Sequence, residues 1–197
     1  MTKPLVTIGV PAYNEEKYIG EALESLLRQT YPNLEIIVGD NGSTDGTAAI
    51  VDAFAAKDPR VVHVRHPRNI GQNANFNHLP RVASGKYFAW ASAHDFMDAD
   101  FVEKCVAALE ADPEAVLACP RTVYLDEHGN KTGVKARTPF DVRGKAPARR
   151  FRMTMWRVDC NIVYGMFQLD AMRATHLFQL VPAADRVMLA ELATKGT

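Results

Sequence analysis

The sequence predicts an α/β protein, a mostly parallel sheet flanked by helices on both faces. Three observations predict it. Short runs rich in β-branched and apolar residues alternate with helical stripes through the first third of the chain. A fully apolar, aromatic run at Tyr87–Ala91 reads as a central strand covered on both sides. Polar residues stand where these strands end, and open α/β sheets bind ligands at the carboxyl ends of their strands.

In chain order, Leu5–Val10 is the first strand, ending at Pro11-Ala-Tyr-Asn-Glu15. Asn14 is the expected N-cap of a helix, with Glu15 and Glu16 at its positive end. Ile19, Ala22, Leu23, Leu26 and Leu27 form its inner stripe, and Tyr31-Pro32-Asn33 stops it. Leu34–Gly39 is the second strand, with Asp40 at its end. The turn-rich loop Asn41–Thr47 opens a second helix through Phe54, and Val61–Arg65 is the third strand. Right-handed crossovers between these strands make the sheet parallel. After Tyr87–Ala91 come Ser92, His94 and Asp95, an imidazole and a carboxylate able to hold a divalent cation.

Asp98 is the expected cap of a helix with the stripe Phe101, Val102, Cys105, Val106 and Leu109, ended by Asp112-Pro113. Ala115–Pro120 is strand-like, and Thr122–Leu125 continues into a hairpin around Asp126–Asn130. Lys131–Ala148 reads as loop. Arg149–Arg157 mixes arginines with large apolar residues. It fits a solvated helix with a core stripe, a contact for a diphosphate or charged acceptor, or a membrane-docking face near a lipid-linked acceptor. Val163–Phe167 is a short strand and Asp170–Thr175 a helical turn. Pro182–Arg186 opens a last helix with Met188, Leu189, Leu192 and Ala193 inward.

The totals exclude several classes. The chain has 197 residues, enough for one domain, and is 47% apolar and 23% charged. Its 23 basic and 23 acidic residues leave no net charge to attract nucleic acid. Nothing at the start reads as a signal peptide, and no apolar run approaches the ~20 residues of a membrane span. Cys105, Cys119 and Cys160 lack metal spacing and suit reduced core positions in a cytoplasm. No Gly-rich phosphate loop follows the first strand, so dinucleotide and P-loop sites are excluded and a metal is the natural partner for phosphate. Tyr13, Asn14 and Asp40 converge at neighbouring strand ends. Tyr13 can lie against a nucleobase, and Asp40 can accept from a ring N–H.

These residues resemble the family 2 glycosyltransferases, inverting enzymes of the GT-A fold. Pro11-Ala-Tyr-Asn-Glu15 is similar to their first motif and Ile37–Thr47, centred on Asp40-Asn41-Gly42-Ser43, to their second. Asn69-Ile-Gly71, Asn75 and Gly85-Lys-Tyr87 are similar to the segment that leads to the metal strand. The resemblance is close over residues 3–110 and looser beyond. It implies one GT-A domain over 1–197, with 1–97 the nucleotide-sugar half and 98–197 the acceptor side. Such enzymes usually continue past the point where this chain stops, so acceptor elements are expected to be missing unless the chain is a compact member.

The resemblance also implies roles. Asp40 would hold the base, commonly uracil, with Pro11, Tyr13 and Glu15 lining or supporting that pocket. Asn69 and Gly71 would lie near base and ribose. Asp95 would be the metal ligand, with His94 a ligand or its neighbour. The usual Asp-x-Asp run is Ser92-Ala-His94-Asp95 here, and a His–Asp pair points to Mn²⁺ over Mg²⁺. Asp185 would be the catalytic base, with Asp159 and Asp170 as fallbacks. Expected partners are a nucleotide-sugar donor, a glycan or lipid-linked acceptor and a peripheral membrane contact at the inner face, with no nucleic acid. Two other readings compete. One is a nucleotide-sugar-binding domain without transfer activity. The other is a nucleotidyltransferase, whose glycine- and basic-rich N-terminal signature is absent.

Overall fold

A computed structural model of the chain describes residues 2–119, 121–126, 128–135, 141–158 and 160–197. A six-stranded sheet runs through it. The strands are β1 (Val6–Ala12), β2 (Leu34–Asp40), β3 (Val61–Arg65), β4 (Tyr87–Trp90), β5 (Leu117–Ala118) and, later in the chain, β8 (Met166–Gln168). Their spatial order is β3-β2-β1-β4-β8-β5. The first four are parallel, and β8 is antiparallel to both β4 and β5. Helices α1 (Ile19–Leu27), α2 (Thr47–Lys57), α3 (Gln72–Val82) and α4 (Phe101–Ala111) connect the early strands. The crossover order is that of an open α/β sheet. The α/β reading therefore holds.

Tyr87–Trp90 is the inner strand its composition demands, with all four residues buried. Successive side chains face opposite sides. Tyr87 and Ala89 join one core with Ile8, Leu23 and Val102. Phe88 and Trp90 join the other with Leu79, Phe167 and Leu189. Trp90 stacks on Phe178 (centroids 5.0 Å apart, 17° between planes) and meets Phe88 and Phe167 edge-on. Such ring pairs add roughly 0.5–1.5 kcal/mol each beyond burial.

The sequence reading placed no helix between Gly71 and Gly85, yet α3 lies there. Its inner face is Asn75, Leu79 and Pro80, a pattern too polar to read as an apolar stripe. Pro80 withholds the N–H that would reach the Phe76 carbonyl. The Trp90 indole N–H donates to that carbonyl instead (3.2 Å). Arg173 closes the helix's far end by donating to the carbonyls of Pro80, Arg81 and Ala83. Tertiary partners thus supply what the helix lacks locally.

Two more expectations change. Lys131–Lys135, read as loop, is strand β7 and pairs with β6 (Val123–Leu125) in a separate two-stranded sheet. The hairpin expected around Asp126–Asn130 is thus present as β6 and β7, with Val123, Tyr124 and Leu125 all exposed. Asn14 and Asp98 do not cap helices with their side chains: α1 starts only at Ile19 and α4 at Phe101. The Asp98 carbonyl, not its carboxylate, receives the Phe101 N–H. In the second half, α5 (Pro147–Arg157), a 3₁₀ turn (Cys160–Tyr164), α6 (Leu169–Arg173) and α7 (Ala184–Lys195) complete the fold. The inward face of α7 is the one the sequence specified. Cys105 is a core residue, and burial pushes its thiol up to about 12.

Candidate active site

The carboxyl ends of β1, β2 and β4 form one rim. Asn14 sits at φ +56°, so the chain after β1 turns toward the loop after β2 instead of entering a helix. The two loops are laced together. The N–H groups of Asn14, Glu15 and Glu16 donate to Ser43 Oγ, Thr47 Oγ1 and Asp45 Oδ2 at 3.0, 2.7 and 3.2 Å. In return the Thr44 N–H donates to Asn14 Oδ1 and the Gly46 N–H to Glu16 Oε2. Glu16 thus serves the start of α2, not of α1.

Asp40 is wholly buried, and one carboxylate oxygen accepts the Ser43 N–H at 2.8 Å. The other lies 3.3 Å from Arg65 Nε and 3.6 Å from His63 Nε2, and His63 Nδ1 meets Asp52 at 2.7 Å. That second oxygen is buried without a hydrogen-bond partner, while the first shapes the loop from beneath. At the loop surface Gly42 holds φ +74°, where a Cβ would come within 2.6 Å of the Arg68 carbonyl carbon. That close approach brings in the next loop. Asn41 Nδ2 donates to Asn69 Oδ1, which also receives the Gly71 N–H, while Asn41 Oδ1 receives the Ile70 N–H. Asn41 is the link the sequence reading left without a role. Tyr13 remains 43% exposed, with its ring available to a ligand.

The rim continues to the metal candidates. The His94 N–H donates to Ser92 Oγ (3.3 Å), so Ser92 holds the turn where an aspartate was expected. His94 Nδ1 lies 3.3 Å from Glu15 Oε1, which ties the end of β4 to the end of β1. Asp95 is exposed. The Met166–Ala89 pairing sets the residues before β8 beside the end of β4. Tyr164 stands there, and its phenol is pushed up by burial, then by the charges of Asp95 and Asp185. One hydroxyl therefore feels both carboxylates, although Asp95 and Asp185 are 90 residues apart in the chain. The sequence reading passed over Tyr164 as strand, and only the placement of β8 exposes its role.

A family profile described as Glycosyl transferase family 2 matches residues 7–172. The chain belongs to glycosyltransferase family 2. An uncharacterized glycosyltransferase of Haemophilus influenzae is 41% identical over 107 residues, which is 54% of this chain and 33% of that protein. Two solved structures share the fold. S. aureus TarS in complex with UDP-GlcNAc superposes with a TM-score of 0.73 at 20% identity, covering 95% of this chain and 52% of that one. The mannosyltransferase PcManGT from Pyrobaculum calidifontis, in complex with GDP-Man and Mn²⁺, gives 0.68 at 24% identity, covering 95% and 51%. The fold is GT-A. The chain spans about half the length of these structures or less of the curated relative.

Within this family 2 frame the other candidates sort out. Pro11 is half-buried, and Gly71 holds φ +93° at the entrance to α3. Asp170 lies in the first turn of α6 after β8, near the amino end of β4 where Gln168 pairs with Tyr87, so it sits at the opposite end of that strand from Asp95. Asp159 lies outside the described residues. No group of three or more His, Cys, Asp or Glu side chains among the described residues is set to hold a metal. One exposed carboxylate with an imidazole beside it suits a cation whose remaining ligands are substrate phosphate oxygens. Two cavities, of about 440 and 420 Å³, flank Gly42–Thr44 and the α4–α7 side, and neither contains Asp95 or Asp185.

The loop before Asp185 is held by α3. Asn77 pairs with the Phe178 backbone twice, donating to its carbonyl at 2.8 Å and accepting its N–H at 2.9 Å. Asn73 donates to the Gln179 carbonyl. Leu177 and Ala183 bracket this loop at φ +56° and +54°, an unfavourable backbone state for both residue types. Asn77→Ala is expected to cost roughly 1–3 kcal/mol in denaturant unfolding, because two polar backbone groups lose their partners. It is also expected to lower kcat more than donor affinity, since the freed loop leads into Asp185.

Proposed function

We propose that this chain is the donor-binding and catalytic part of an inverting glycosyltransferase. It would move a sugar from a nucleoside-diphosphate sugar, of the UDP-sugar class, to an acceptor hydroxyl on a glycan or lipid-linked glycan. Residues 1–97 would bind the donor, and 98–197 would face the acceptor. The observation that carries this reading is the family 2 profile over residues 7–172, and it is supported by the Tyr164 phenol, which burial and then the charges of Asp95 and Asp185 push up. A transferase that inverts needs a base for the incoming hydroxyl and relief for the leaving diphosphate within one site.

The roles follow from position. Tyr13 lies against the base, and the Asn41–Asn69 pair with Gly71 shapes the wall beside it. Asp40 would accept from the base through its unpartnered oxygen while the other holds the loop through the Ser43 N–H. Glu15 steadies His94. Asp95 and His94 would hold a divalent cation, with Mn²⁺ favoured by the imidazole, and when bound it offsets charge on the departing diphosphate. Asp185 takes the proton of the acceptor hydroxyl. Holding both substrates in line supplies much of the remaining acceleration. The cysteine pattern fits a reducing cytoplasmic compartment. No helix among the described residues is long and apolar enough to cross a membrane.

A second reading has one observation in its favour. Ser92 replaces the first carboxylate of the expected run, which suits a domain that binds nucleotide sugars without transferring them. Nucleoside diphosphate release from a panel of UDP-, GDP- and dTDP-sugars, with Mn²⁺, Mg²⁺ or EDTA, separates the two. Metal-dependent release from one donor is the expected result. Nucleotide binding by calorimetry without release from any donor, with acceptors supplied, would replace the transferase by the binding domain.

A further inference from the structure

Helix α5 carries a surface that the transfer chemistry does not use. Between Val142 and Val158 the described chain has six cations, Arg143, Lys145, Arg149, Arg150, Arg152 and Arg157, and no acid, in a protein of zero net charge. Two of the six are engaged. Arg143 pairs with Asp141, and Arg150 donates to the carbonyls of Ala193 and Thr194 at the end of α7. Arg149, Arg152 and Arg157 form no ion pair among the described residues. Between them stand Trp156, 81% exposed, and Phe151, 42% exposed. Positions 149, 152 and 156 share one helix face with 157 at its edge, while 151 lies about 140° around the helix from 156.

The orientation of this face is set by packing. Arg150 meets Ala193 and Thr194, and Thr154 lines a cavity together with Leu189. Helix α5 therefore runs antiparallel to α7, with Trp156 and Arg157 toward the end that bears Asp185. The loop entering that end exposes Leu180 (94%) and Val181. The exposed Trp156 indole and the exposed Leu180 and Val181 thus lie toward the same end of α7.

We propose that this face docks on an anionic lipid bilayer surface. Trp156 would sit at headgroup depth, and Arg149, Arg152 and Arg157 against lipid phosphates. An indole has an apolar body and a polar edge, which suits the membrane interface. Basic residues near an anionic leaflet add roughly fivefold in partition each. Charge complementarity selects the occupant: a neutral apolar partner would gain nothing from three unpaired arginines. Docking would point the Asp185 end toward the bilayer.

Intrinsic fluorescence tests this directly. The chain has two tryptophans, and Trp90 is fully buried, so a vesicle-induced change reports Trp156. With vesicles of phosphatidylcholine and phosphatidylglycerol, the emission is expected to shift to the blue and the chain to co-sediment. Phosphatidylcholine alone should give neither. Arg149→Glu with Arg152→Glu is expected to lower the partition at least about 25-fold. Trp156→Ala should weaken it with no change in the unfolding midpoint, because the side chain is exposed. Equal binding to both vesicle types, or no binding to either, would overturn the proposal. So would a blue shift produced by heparin alone, which would assign the face to an acidic glycan. A chain that releases nucleoside diphosphate and ignores vesicles would overturn the docking surface while leaving the transferase reading intact.

Discussion

Asp185→Asn is expected to reduce sugar transfer by roughly 10²–10⁴ while leaving donor binding near its original strength. The amide keeps the size and polarity of the side chain and cannot take a proton from the acceptor hydroxyl. Asp185 lies in the first turn of α7, where an acid is also favoured simply by the helix dipole. A purely capping role would cost stability of about 1 kcal/mol or less and would spare the chemical step. Single-turnover transfer beside a denaturant curve separates the two. The Tyr164 phenol supplies a second readout. Burial and the charges of Asp95 and Asp185 all push it up, so removing one charge moves its titration downward. A tyrosinate titration of Asp185→Asn, with Tyr164→Phe to assign the signal, should show that displacement.

Asp95→Ala is the other change of large effect. It removes the exposed carboxylate at the end of β4 and leaves His94 tied to Glu15. Metal-dependent nucleotide binding is expected to disappear, with a loss of about 10³-fold in transfer if the cation supplies several kcal/mol of leaving-group stabilisation. Calorimetry of Mn²⁺ and UDP binding measures the first effect without any turnover. Undiminished Mn²⁺-dependent binding in Asp95→Ala would remove Asp95 from the metal site. His94→Ala serves as the comparison, and a smaller loss there would make the imidazole a supporting group.

Much of the fold was legible because burial and periodicity agree in it. Tyr87–Trp90 has no polar side and could only be an inner strand, and the inward stripe of α7 follows 3.6-residue spacing. The carboxyl-end rim was legible for the same reason, since strand ends can be counted along the chain. What stayed hidden depended on distant partners. Helix α3 buries an asparagine and a proline, and its stability comes from Trp90 and Arg173. Its Asn73 and Asn77 act only on a loop about a hundred residues away. Asp40 is legible as a strand-end carboxylate, but its closeness to His63 and Arg65 depends on the register of β3 against β2. Tyr164 reads as a plain aromatic until β8 is set antiparallel to β4.

The lacing of residues 14–16 to residues 43–47 has a temporal consequence. Six hydrogen bonds cross between the loops, and each loop both gives and receives. Neither can open alone without stranding the other's amides. The two motifs therefore breathe as one unit, and amide hydrogen exchange at Asn14, Glu15, Glu16, Thr44 and Gly46 is governed by a single opening event. A nucleotide that rests on either loop closes both, so protection gained on binding spreads past the atoms it touches.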